Sequence, residues 1–422
     1  MRHYKEHSKV RKITMVKLNA FLICFTIVIF NTVANAGTTQ VWSDNSVSDN
    51  IASALSGVGL NSKANWSGKF KDKYESSNRT EDIQKIFSDG FRHFTYIVSL
   101  RYFFTKDCFR SAEYTVECIK DGVFDSKIES IKQQIDEVIS SNESAVFVFS
   151  LKPSYKNLVN NSDGVKQTEF LKAFENSKET RDALGEIWLH ISQVLKDIPV
   201  DNLVFNLINE PEWEHYSGWS AHSKWKKHAI DLVDIIRGVT PSRTIMVEGM
   251  YKGLFGKGSA KGVGNNGYDF GQRKYSGPSE LITPIDRKNI VYGFHYYEPY
   301  SWTHQDSHWM SKGDRGHPLP SITRLQSDLE ELVEFSNEYN VPVVLSEVGV
   351  NGSCDGNGPK LEERAKYASV VYETLVENGV GVTWWSLEDP NMPYKRDEKD
   401  CYTQRYRDLI PENKLFKALR LN

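Results

Sequence analysis

Eight short runs of β-branched and aromatic residues, separated by amphipathic segments of helix length, constrain this chain more than any other feature. They lie at 57–61, 91–98, 145–151, 203–208, 244–248, 290–295, 343–347 and 380–387. Strands buried on both faces read as continuous apolar runs, and their alternation with helices marks a parallel sheet. Helix patterns fall at 81–89 behind Thr80, 127–139 behind Ser126, 169–195, 223–237, 325–337, 360–377 and 412–419. The stretch after the fifth strand has the weakest helix pattern. Eight such units can close into a barrel or form an open doubly wound sheet. Polar residues decide between them: Asn209-Glu210, Glu248, His295, Glu347 and Trp385 stand at the carboxyl ends of different strands, as they do around a barrel mouth. The expected fold class is α/β, a single (β/α)8 TIM barrel.

The 422 residues suffice for one such domain, since barrels of this class need about 250 residues before insertions. Residues 1–36 read as a signal peptide. Lys9, Arg11, Lys12 and Lys17 precede an apolar run, 18–30, that is short for a bilayer span, and Ala34-Asn35-Ala36 precedes Gly37 as a small-residue cleavage pattern. Met15 is an alternative start, and a retained anchor is the competing reading. The barrel domain is then 37–422, secreted or periplasmic, monomeric, and without stable membrane insertion after cleavage. Loss of the leader removes six Lys/Arg and one Glu and so moves the formal net charge from -3 to -8, leaving no basic stripe for nucleic acid.

Of five cysteines, Cys24 leaves with the leader. The other four suit an oxidising compartment and allow three pairings. Cys108–Cys118, closing one loop, and Cys354–Cys401, joining two loops on one barrel face, are the pairs expected. No Cys-x-x-Cys or close His spacing marks a zinc site, and neither metal nor cofactor is expected. The Gly-rich run 256–267 lacks the Gly-Lys-Ser/Thr ending of a phosphate loop and reads as a surface loop.

Glu210 lies in Asn209-Glu210-Pro211, just past an apolar strand. Proline biases the residue before it towards extended backbone, so Glu210 is expected to be extended. Glu347 closes Pro342-Val343-Val344-Leu345-Ser346-Glu347. A carboxylate that ends a buried strand loses hydration unless it is paired or put to use. Three units apart in an eightfold barrel, the two glutamates face each other across its mouth. That suits glycoside hydrolysis, where one carboxyl protonates the leaving oxygen and the other attacks the anomeric carbon at a separation of about 5–5.5 Å.

His295 and Tyr297 share one alternation phase and should point the same way. A phenol there can hydrogen-bond the nucleophile, and an imidazole can tune the acid/base group. One indole of Trp384-Trp385 faces inward as a platform for a sugar ring, and Trp213, Trp219, Trp302 and Trp309 in the loops after strands four and six are further stacking candidates. Each feature has a plainer reading: a turn with a solvated glutamate, buried rings with satisfied polar tips, and indoles that pack.

Together, Asn209-Glu210-Pro211, His295-x-Tyr297, Ser346-Glu347 and Trp385 in Val382-Thr383-Trp384-Trp385-Ser386 resemble glycoside hydrolase family 5, the cellulase-like retaining enzymes on a (β/α)8 barrel, over residues 56–419. The resemblance implies Glu210 as acid/base, Glu347 as nucleophile, Asn209 as ligand of the sugar 2-hydroxyl and Trp385 as the platform beneath the sugar being cleaved. It implies a β-linked polysaccharide as substrate: β-1,4-glucan first, then mannan or an exopolysaccharide. Two positions depart from the family pattern. An Arg expected near the end of the second strand is replaced by Thr95, and a His expected at the end of the third falls where this chain reads Phe149-Ser150-Leu151-Lys152. Lys152 and Arg101 are the nearby cations expected to hold Glu347 ionised and to reach the cleft. A non-catalytic carbohydrate-binding barrel is the competing function. A metal-dependent hydrolase is third, and the first strand has no His-x-His to support it.

Overall fold

In a computed structural model of the chain, the residues described are 40–62, 78–120, 123–153, 167–211, 219–249, 278, 282–305, 318–319, 321–350, 358–387 and 414–422. All eight apolar runs become strands: β1 Val58–Ser62, β2 His93–Ser99, β3 Val146–Lys152, β4 Leu203–Asn206, β5 Ile245–Glu248, β6 Ile290–Tyr296, β7 Val343–Val348 and β8 Gly381–Leu387. They pair in parallel in chain order, and β8 returns to β1 to close the barrel. Helices described around it are α1 Asp49–Leu55, α2 Asn78–Ser88, α3 Lys106–Ser111, α4 Val123–Ser141, α5 Gln167–Asn176, α6 Lys178–Val194, α7 Trp219–Arg237, α8 Tyr300–Thr303, α9 Ile322–Tyr339, α10 Leu361–Leu375 and α11 Lys414–Ala418.

Some expected boundaries move, for local reasons. The single helix expected over 169–195 is broken at Ser177, whose hydroxyl accepts the Thr180 N–H and caps a new helix. Thr80 and Ser126 lie inside α2 and α4 and do not cap them. Thr80 instead donates to Glu137 and ties the two helices together. β4 stops at Asn206, two residues before the apolar run ends.

Strand alternation divides the apolar residues into two compartments. On β3, Phe147 and Phe149 face the helices, while Val146 and Val148 face the barrel interior. Val204, Met246, Val291 and Val344 join them inside, and Trp42, Val47, Ile51, Ala54 and Leu55 pack against this group as a plug. α1 forms at that place because Ser48 accepts the Ile51 N–H and Asp49 sits in the positive first turn.

His93 belongs to this lower interior. Its Nδ1 lies 3.0 Å from the Ala54 carbonyl and its Nε2 2.8 Å from Thr383 Oγ1. A carbonyl only accepts, so Nδ1 carries the proton and the threonine hydroxyl donates to Nε2. Burial lowers the ring's pKa to about 4 against the pull of the Ala54 hydrogen bond, leaving it neutral. Gly59 makes room for it, since a Cβ there would come within 2.1 Å of the ring. With the amino end filled, the barrel is left to bind at its carboxyl end.

Cys108 and Cys118 form a disulfide with Cα atoms 5.8 Å apart, closing the loop around α3. Cys354 and Cys401, the leader at 1–36 and the Gly-rich run 256–267 lie outside the described residues. Among the described residues no helix is long and apolar enough to cross a membrane.

Candidate active site

Above the plug the interior turns polar. On β5, Ile245 and Val247 face the helices and Met246 faces the plug, so alternation aims Glu248 inward. Asn206 on β4 donates through Nδ2 to Glu248 Oε1 (2.6 Å) and to Ser150 Oγ (3.0 Å). Past the strand ends, where ladder partners run out, two outer indoles take over. Trp188 Nε1 donates to the Leu207 carbonyl and Trp225 Nε1 to that of Glu248.

Glu210 is not extended, contrary to the expectation from Pro211. Its φ is 55°, in the left-handed region. Such a conformation costs a non-glycine residue on the order of 1–3 kcal/mol and persists only where its surroundings fix it. Here the Glu210 N–H donates to Glu248 Oε2 at 2.8 Å, and the preceding Asn209 N–H donates to the Leu151 carbonyl at 2.6 Å. Asn209 is buried, and its Nδ2 has no partner among the described residues.

Glu347 owes its direction to a bulge. The register of β6 and β7 pairs Phe294 with Leu345 and then His295 with Glu347, so Ser346 is an extra residue. Both neighbours on β7 then point into the barrel. Ser346 Oγ donates to the Phe294 carbonyl, and Glu347 Oε2 accepts from Tyr297 at 3.0 Å. His295 and Tyr297, in one phase as expected, both reach Glu347. The Nδ1 of His295 is 3.2 Å from Glu347 Oε2 and 3.3 Å from Glu210 Oε1, while its Nε2 is 3.1 Å from Glu248 Oε2.

Nε2 of His295 thus lies beside Glu248 and Nδ1 beside Glu347 and Glu210, a setting that favours the protonated ring. Burial opposes that charge. The negative charges of Glu248 and Glu347, with hydrogen bonds to Glu210 and Glu248, outweigh it and hold the pKa well above 6.5. Ligand atoms of Glu210, His295 and Glu347 lie within 4.8 Å of one another, close enough for a metal. A proton and a metal ion would compete for the same Nδ1 lone pair.

Lys152, the last residue of β3, is buried. Its Nζ lies 3.4 Å from Glu210 Oε2 and 5.3 Å from the centre of the Trp385 ring. It thus reaches the cleft, where it meets Glu210. Arg101 stacks over Phe109, beside α3, and Thr95 is buried in β2. Among the described residues, the basic group placed beside Glu347 is His295, at 3.2 Å. Of the tryptophans, Trp384 is buried and Trp385 half-buried beneath Lys152. Trp302 is no platform: it is wholly buried against Tyr367, with ring centres 5.4 Å apart. Trp213, Trp309 and the Trp219 side chain lie outside the described residues.

Sequence reasoning gave no role to Glu248, Asn206 or Ser346. The signal for Glu248 was present, since it ends the apolar run Ile245-Met246-Val247 as Glu347 ends its own.

Comparison with known proteins places this geometry. "Endoglucanase 3" of Fibrobacter succinogenes is 25% identical over 254 residues, which is 58% of this chain and 32% of that protein. The chain thus spans about a third of that relative's length. A hyperthermophilic endo-beta-1,4-glucanase solved with substrate superposes with a TM-score of 0.55 at 19% identity, covering 80% of this chain and 91% of its own. Thermotoga maritima Cel5A, solved with a mannotriose substrate, gives 0.57 at 17% identity, covering 88% and 100%. At such identities the superpositions speak for the fold alone. The description "Cellulase (glycosyl hydrolase family 5)" matches residues 59–391, most of the chain, and the protein belongs to that family.

Proposed function

We propose that the protein is a secreted glycoside hydrolase that cleaves a β-linked polysaccharide, β-1,4-glucan first, with retention of anomeric configuration. The observation that carries this reading is the pair of carboxylates at the barrel mouth, with oxygens of Glu210 and Glu347 within 4.8 Å of one another. That approach of one oxygen from each carboxylate supports the short separation of a retaining pair, about 5–5.5 Å, over the about 6.5–9.5 Å at which an inverting pair holds a water.

In the first step Glu347 attacks the anomeric carbon while Glu210 passes its proton to the departing oxygen. In the second, Glu210 takes a proton from water, which displaces the sugar from Glu347. Tyr297 and His295 hold Glu347 Oε2, and Oε1 has no partner among the described residues, so Oε1 is the attacking atom. Asn209 Nδ2 is available to a sugar 2-hydroxyl, and Trp385 offers its face beneath the ring. Relatives described as endoglucanases support a glucan. The leader pattern at 1–36 supports export.

Incubation of the purified protein with β-1,4-glucan, mannan, xylan and β-1,3-glucan tests the assignment. Reducing ends are expected from β-1,4-glucan and in smaller amount from mannan. Retention of the polysaccharides on affinity gels without any reducing ends would replace the hydrolase with a carbohydrate-binding barrel.

A further inference from the structure

Glu248 is fully buried below the two mouth carboxylates, and the reaction above makes no use of it. Its two oxygens nevertheless have partners on several strands. Oε1 accepts from Asn206 Nδ2 at 2.6 Å and lies 3.4 Å from Ser346 Oγ. Oε2 accepts the Glu210 N–H at 2.8 Å and lies 3.1 Å from His295 Nε2. The space is built for it: at Gly293, on the neighbouring β6, a Cβ would approach Glu248 Cγ to 2.9 Å.

We propose that Glu248 is a positioning residue that holds His295 as a doubly protonated ring and fixes the left-handed turn at Glu210, so that one Nδ1–H spans both mouth glutamates. This rests on the roles proposed for Glu210 and Glu347. During turnover their negative charge moves: it sits on Glu347 before attack and on Glu210 once the glycosyl ester has formed. The Nδ1–H follows it from one carboxylate to the other. Glu248 takes no part in that transfer and faces Nε2 throughout. The groups facing His295 are Glu248 from β5, Glu347 from β7 and Glu210 from the loop after β4. Tyr297 on β6 bonds Glu347, and Lys152 on β3 pairs with Glu210.

The test is a pH titration of ring nitrogen resonances in histidine-labelled protein, with His295 assigned by its loss in His295→Gln. In wild type, both nitrogens of His295 stay protonated from pH 5 to pH 8. In Glu248→Gln the ring titrates inside that window, kcat falls about 10²-fold with KM changed less than about twofold, and activity declines further above the ring's titration point. Glu248→Asp, which keeps the charge, restores the protonated ring in part. A wild-type His295 that is neutral at pH 7 overturns the proposal, and that result needs no Glu248 variant to fold. So does a Glu248→Gln protein that melts at a lower temperature with the ring titration and pH–rate profile unmoved. A wild type inactive on every polysaccharide would overturn the hydrolase reading instead, and the ring titration would still report on Glu248.

Discussion

Glu347→Ala is expected to lower kcat on β-1,4-glucan on the order of 10⁵-fold, about 7 kcal/mol at 1.36 kcal/mol per tenfold. The variant removes the proposed attacking atom while leaving the bulged β7 backbone, whose fold depends on Ser346 and the flanking strands. Without a nucleophile no glycosyl ester forms, and neither Tyr297 nor His295 can substitute for it. Azide is small enough to occupy the space left by the carboxylate. It should restore part of the turnover and give the α-glycosyl azide, because it attacks from the face that Glu347 occupied. A loss of less than about tenfold would be far below what an attacking group supplies and would remove Glu347 from the reaction.

Glu210→Ala separates the two steps. On polysaccharide, whose sugar leaving group needs a proton, kcat/KM is expected to fall about 10³-fold, within the range of about 10²–10⁴ for general acid–base catalysis. On an aryl glycoside with an acidic phenol the first step needs little proton donation, so the ester forms and accumulates as a burst. Azide then attacks the ester from the side where water would enter, and the product is the β-glycosyl azide. Opposite azide anomers from the two variants distinguish nucleophile from acid/base. Equal losses on both substrates, with no burst, would contradict the role of Glu210.

The barrel was legible because each strand is a nearly unbroken apolar run, and its period separates the helix-facing residues from the interior ones. The mouth was legible wherever a polar residue ended such a run: Glu347, His295 and Trp385 were found this way. Side-chain direction was not. Glu347 points inward through a bulge at Ser346 that no residue type announces. Glu210 turns inward through a left-handed backbone that the following proline argued against. Lys152 was placed at the mouth, yet its partner, Glu210, follows from the separation of β3 and the β4 loop in space. Glu248 satisfied the same strand-end rule as Glu347 but belonged to no motif, so its contacts to Asn206, Glu210 and His295 emerged only from the folded chain. Trp302 shows the opposite error: an aromatic in a mouth loop became part of the packing under α10.

The central claim is a double displacement at Glu347 with Glu210 as acid/base, and the anomeric configuration of the first product tests it most directly. Proton NMR spectra recorded in the first minutes of β-1,4-glucan oligosaccharide hydrolysis, before mutarotation, should show the β-anomeric signal at the new reducing end, with the α signal growing in later. An α signal that appears first would require direct attack by water and would contradict the account.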